Sequence, residues 1–233
     1  MRRTDRIVIH EAACRAMLAT RLTYPSEARR AAASASHLFK VCDAPGLLRY
    51  AMYRGLDELT LVELSQWANR ASRQEYADRV HASTPGHADW RHVCDEPYRI
   101  FRGAAHEAAT CLVIDRQRLR RADRRIACEW IDTIIAALER QSPEGLCAAT
   151  FFVSTGGDVV LNLAEWLSPD AHRRALQKPD CQQFETADVG ERRTPAHPGI
   201  TAEHELGRYM LVANLESELI GDGETRKPSA GRT

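Results

Sequence analysis

The chain has 233 residues and 44% hydrophobic residues, enough for one large domain or two of roughly 100 residues each. Lysine plus arginine and aspartate plus glutamate number 32 each, so there is no global field to draw in nucleic acid or an anionic membrane, and neither is an expected partner. Seven cysteines (14, 42, 94, 111, 128, 147, 181) form no C-x-x-C pair, and His10 and Glu11 interrupt the first apolar run, so the sequence reads as a cytoplasmic protein with free thiols, no disulfide framework, no signal peptide and no membrane span.

After an N-terminal arm over 1–15, Ala16–Thr23 reads as a strand. Ser26 to about Cys42 reads as a helix with a small apolar side (Ala28, Ala31, Ala35, Leu38, Phe39), broken at Asp43–Gly46. Leu47–Arg54 and Leu59–Trp67 then form two strands around a turn at Gly55–Glu58, Asn69 caps a second helix to about Val80, and Tyr98–Arg102 is a short last strand. His81, His87, His92 and Cys94 fall before it at irregular spacing, which reads as loop rather than a metal site.

The order then recurs. Thr110–Ile114 is a strand, and a helix of about 120–141 places Ile126, Trp130, Ile131, Ile134, Ile135 and Leu138 on one face, with the arginines at 116, 118, 120, 121, 124 and 125 as its solvated start. Leu146–Ser154 and Val159–Trp166 form a hairpin around Thr155–Asp158. Ser168 caps a helix with Pro169 at its first position, and a last strand follows at about Arg208–Leu215. The proline-bearing stretch 177–207 reads equally as a lid over a pocket or a spacer, and 218–233 as a disordered tail.

Gly46 precedes Gly145 by 145 − 46 = 99 residues, and Trp67 precedes Trp166 by 166 − 67 = 99. A constant offset across a hairpin implies an internal duplication. The expected fold is therefore α+β, two tandem ferredoxin-like β-α-β-β-α-β repeats (16–104 and 105–217) whose sheets pack face to face as an intramolecular barrel. Pairing of this barrel with a second copy is left open.

Alternation along the strand puts Asn162 and Trp166 on one face, with Glu63, Ser65 and Trp67 on the matching face of the first repeat. If the leucines fill the barrel, these groups point at the helices, where an amide and an indole suit a planar, oxygenated aromatic ligand. A core tryptophan with a structural asparagine is the alternative reading.

Gly145–Leu146, Phe152–Val153–Ser154, Asn162–Leu163–Ala164–Glu165–Trp166, Ala171–His172 and Ala175–Leu176 together resemble the antibiotic biosynthesis monooxygenase family of dimeric α+β barrels, in its tandem actinomycete form. The resemblance covers roughly 16–217, most closely in the second repeat. It implies oxidation of an anthrone-type polyketide or polycyclic phenol to a quinone, with dioxygen as co-substrate and no metal, flavin or haem. It further implies Asn162 and Trp166 as catalytic residues, and Phe152, His172, Trp130, Glu63 and Trp67 around the substrate. Haem-degrading relatives use a histidine on the helix of His172 and an asparagine on the first strand, and Cys111–Leu112–Val113 offers none. Glu63 replaces the asparagine in the first repeat, which reads as scaffold. A non-redox polyketide binder or cyclase of the same shape is the rival function.

Overall fold

The computed structural model describes residues 2–3, 14–41, 44–83, 88–103, 109–177 and 200–217. The first part of the chain gives β1 (Arg2–Arg3), β2 (Ala16–Thr23), α1 (Glu27–Val41), β3 (Leu47–Gly55), β4 (Thr60–Trp67), α2 (Arg70–Ser83), β5 (Ala88–Cys94) and β6 (Arg99–Arg102). The second gives β7 (Cys111–Leu119), α3 (Arg124–Arg140), β8 (Leu146–Val153), β9 (Val159–Trp166), α4 (Pro169–Gln177) and β10 (Ile200–Glu216). The helices start where side chains satisfy their first amides. Asn69 Oδ1 accepts from Ser72 N at 2.8 Å, Ser168 Oγ accepts from Ala171 N at 3.0 Å, and Asp123 caps α3.

All strand pairs are antiparallel, in the order β5-β2-β4-β3-β10-β7-β9-β8-β6. The two ends of this path, β5 and β6, are consecutive in the chain, and Thr155 N donates to Val93 O at 2.8 Å beside a bridge between Cys94 and Ser154. The sheet thus closes on itself. β10 makes the other join, pairing with β7 through Met210 and with β3 from Tyr209 onward. The fold is α+β and ferredoxin-like, a large antiparallel sheet with four helices among the described residues.

Period-two alternation sorts the side chains into three cores. Inside the barrel, Met17, Ala51, Val62 and Leu64 meet Leu112, Ile114, Phe152, Leu161, Leu163 and Tyr209. Outside it, one core lies under α3 and α4, and another joins Tyr50 and Trp67 of the sheet to Val41 of α1 and Tyr76 of α2. No helix among the described residues is long and apolar enough to cross a membrane.

Several sequence expectations are corrected here. Arg116 and Arg118 belong to β7 rather than to a helix start, and His92 and Cys94 belong to β5 rather than to a loop. Arg116 has a partner that keeps it in the strand, because its Nε donates to His92 Nε2 at 2.7 Å. α1 does not bury Ala28, Ala31 and Ala35 but Arg30, Ser34, His37 and Val41. It does so because the polar groups find partners: Arg30 donates to Glu58 O, Ser34 to Arg30 O, and His37 pairs with Glu63. β10 begins at Ile200, so the last part of the expected lid or spacer is strand. His87, the side chain of His81, residues 178–199 and the tail from 218 lie outside the described residues.

Candidate active site

A cavity lies between the sheet and the helices in the second half of the chain. Its floor is Ala149 on β8 with Asn162, Ala164 and Trp166 on β9, its roof is Ile134 and Leu138 of α3, and Val113, Asp115 and Leu206 close one side. It comprises about 520 Å³ of non-atom space including its mouth, of which the centre of a water-sized molecule can occupy about 40 Å³. One water needs about 10–15 Å³ by that measure. The cavity therefore admits dioxygen or the edge of a ring as it stands.

Asn162 and Trp166 share this wall because they lie four residues apart on one strand, while Leu161 and Leu163 turn into the barrel. Asn162 Oδ1 and Trp166 Nε1 are both buried, and neither has a hydrogen-bond partner among the described residues. A buried polar atom left unmatched costs on the order of 1–3 kcal/mol, so both atoms are open to a hydrogen-bonding group that enters the cavity.

The corresponding place in the first half holds larger and more polar side chains, at four positions. Glu63 stands 99 residues before Asn162 (162 − 63 = 99) and pairs with His37 of α1. His37 in turn stands 97 residues before the roof residue Ile134 (134 − 37 = 97). Ser65 precedes Ala164 by 99, and its Oγ accepts from Trp67 Nε1 at 2.9 Å, the bond that Trp166 lacks. Tyr50 precedes Ala149 by 99 and is 1% exposed. Its phenol pKa is pushed well up, first by burial and then by the Glu63 charge. In the first half Glu63 and the Trp67 indole are paired within the chain; in the second, Asn162 Oδ1 and Trp166 Nε1 face the cavity.

The remaining expected residues do not line the cavity. Trp130 is buried on α3, with an indole N–H also lacking a partner among the described residues. His172 is fully buried against the Trp166 ring, with centroids 4.8 Å apart, and its Nδ1 accepts from Arg208 Nε at 2.7 Å. It does not line the cavity. Trp67 stacks at a tilt on Tyr76, 5.0 Å between centroids. Phe152 is a correction: it faces the barrel interior, and Phe151, opposite Asn162 in register, takes the helix side. The irregularity between Leu146 and Ala148 adds a residue to the strand and reverses the alternation beyond it.

Asp115 went unrecognised in the sequence. It lies on the cavity wall directly opposite Asn162 in register, with His204 Nε2 at 3.3 Å from its Oδ1. The signal was present in Ile114–Asp115–Arg116–Gln117, which continues the alternation of β7 past its apolar run. Among the described residues, no group of three or more His, Cys, Asp or Glu side chains is arranged to hold a metal.

No protein-family model matches the chain, and no curated protein matches it. Solved structures do. An anthrone oxidase-like protein, 13% identical, aligns over 89% of this chain and 95% of its own with a TM-score of 0.67. A proposed monooxygenase from Fusobacterium nucleatum, 10% identical, aligns over 88% and 95% with a TM-score of 0.55. A variant of chlorite dismutase from Candidatus Nitrospira defluvii, 13% identical, aligns over 86% and 92% with a TM-score of 0.53. At such identities the likeness is one of fold, and this chain has the ferredoxin-like α+β fold found in monooxygenase-type proteins.

Proposed function

We propose that the chain is a tandem of two ferredoxin-like repeats whose second half is a cofactor-independent monooxygenase site for an aromatic polyketide or similar polycyclic phenol. The reaction is anthrone-type to quinone with dioxygen, in a cytoplasmic, secondary-metabolic setting. The observation that carries this reading is the unmatched Asn162 Oδ1 and Trp166 Nε1 on an apolar wall. The tandem part is supported by β4 and β9, whose residues correspond one for one at an offset of 99 and pair in the same register with β3 and β8. The likeness to an anthrone oxidase-like protein raises the prior for this chemistry by analogy of fold.

The hydroxylated edge of the ring enters the cavity and the rest of the polycycle extends toward its mouth. Asp115, facing the cavity beside Asn162 and backed by His204, takes the phenolic proton. The Trp166 N–H and the Asn162 amide hold the oxygen on which charge builds. The electron-rich anion then gives one electron to dioxygen, and the two radicals combine at the ring carbon as a peroxide. Loss of water leaves the carbonyl, so that a CH2 and O2 become C=O and H2O. Substrate electrons do the work that a cofactor does elsewhere.

Oxygen uptake with an anthrone-type substrate tests the reading. The expected result is one O2 consumed per quinone formed, at a rate well above autoxidation, with Asn162→Ala removing most of it. Binding of the substrate without oxygen uptake would instead make the chain a polyketide binder or cyclase.

A further inference from the structure

Tyr50 stands where the second half has the floor of its cavity. Tyr50 on β3 faces Ser65 in register, and Ala149 on β8 faces Ala164, so both members of the pair are displaced by 99 residues (149 − 50 and 164 − 65). The neighbours correspond as well: Leu47 faces Trp67 as Leu146 faces Trp166. The Tyr50 ring lies in the same buried cluster as Trp67 and Tyr76. Its hydroxyl is buried beside Glu63, and that of Tyr24 is buried as well.

We propose that the first half contains a second binding site for a small phenol, kept filled by the chain's own Tyr50 side chain. Tyr50 then also gives the pose of a ligand in the open half, with its ring over Ala149 and against Trp166 and its oxygen near Asn162. The Glu63–His37 pair is the polar wall of the filled site, as Asn162 and Asp115 are of the open one. The inference rests on the correspondence of the two halves and not on the oxidation. It accounts for a chain with one free site where a duplication would otherwise give two.

Fluorine NMR of 4-fluorophenol under nitrogen counts the sites, so the outcome is independent of turnover. One bound resonance is expected for the natural chain and for Tyr50→Phe, two for Tyr50→Ala, none for Ala149→Tyr, and one for the combined Tyr50→Ala and Ala149→Tyr variant. An apolar cavity of ring size retains such ligands. Saturating 4-fluorophenol, at about ten times its Kd, should raise the melting temperature of Tyr50→Ala by about 3–5 °C more than that of Tyr50→Phe. Fluorobenzene should bind the new site more weakly than the phenol. An unchanged count in folded Tyr50→Ala overturns the proposal, as does binding by Ala149→Tyr equal to that of the natural chain. Should Tyr50→Ala fail to fold, the Ala149→Tyr result alone decides.

Discussion

Trp67 and Trp166 occupy matching places on matching strands, and a single hydroxyl separates their circumstances. Ser65 satisfies the Trp67 indole, while Ala164 leaves the Trp166 N–H to whatever enters the cavity. Ala164→Ser should therefore weaken binding of a phenolic ligand by about five- to tenfold, the worth of one exchanged hydrogen bond, with little change in melting temperature. Asn162→Ala should abolish most turnover and Glu63→Gln little, since Glu63 is already engaged with His37; steady-state kinetics on both variants reads the ranking, and the reverse order would reject the site. His92 sets a pH limit on the fold. Burial, and then the positive charge of Arg116, lower its pKa to about 4 from the ordinary 6.5. Between those values the unfolded chain binds the proton and the folded one does not, so stability falls as pH drops from about 6.5 toward 4. Urea titrations across that window should show a loss on the order of 1–2 kcal/mol that His92→Gln lacks, allowing for partial exposure of the ring.

At the scale of elements, the glycines ahead of β3 and β8 set how closely the following helices approach the sheet. Gly145 has φ +90, and a Cβ there would meet Ala171 Cβ of α4 at 2.8 Å; Gly46, with φ +76, meets Ser72 of α2 in the same manner. Gly145→Ala should destabilise the protein by roughly 2–3 kcal/mol, read by chemical denaturation, and loosen the cavity that α4 borders. The elements around these glycines were legible in the sequence, because β3, β4, β8 and β9 are apolar hairpins and α3 carries a plain helical stripe. α1 was legible as a helix and not as a packing surface: it buries Arg30 and His37 through partners distant in sequence, which periodicity does not register. β7 and β10 run past their apolar segments into Asp115, Gln117, His204 and Glu205, and strand pairing holds them where hydrophobicity does not. This is why Asn162 and Trp166 could be placed on one wall from alternation alone while Asp115 and His204 could not. Phe152 was misplaced for a third reason, a local irregularity in β8 that no composition signals.

The whole molecule is a closed sheet in which each half supplies the other's inner core. Leu161 and Leu163 pack in one cluster with Val62 and Leu64, and the buried Arg49 of β3 donates to Asn214 of β10 at 2.8 Å. Unfolding one half alone would expose the inner face of the other, so the halves should melt together. Leu163→Ala should lower stability by about 3–5 kcal/mol while calorimetry still records one transition; two separated transitions would mean independent halves. Within that shared scaffold the halves differ in polarity, one carrying Tyr50, Glu63 and His37 and the other open over Ala149. The most direct measurement is a crystal structure with a redox-inert hydroxyanthraquinone bound. The hydroxylated edge should lie under α3 with an oxygen within hydrogen-bonding distance of both Asn162 and Trp166 Nε1, and the first half should remain empty of ligand. A ligand seated inside the barrel or on the first half, with the space over Ala149 unoccupied, would contradict the assignment of the site.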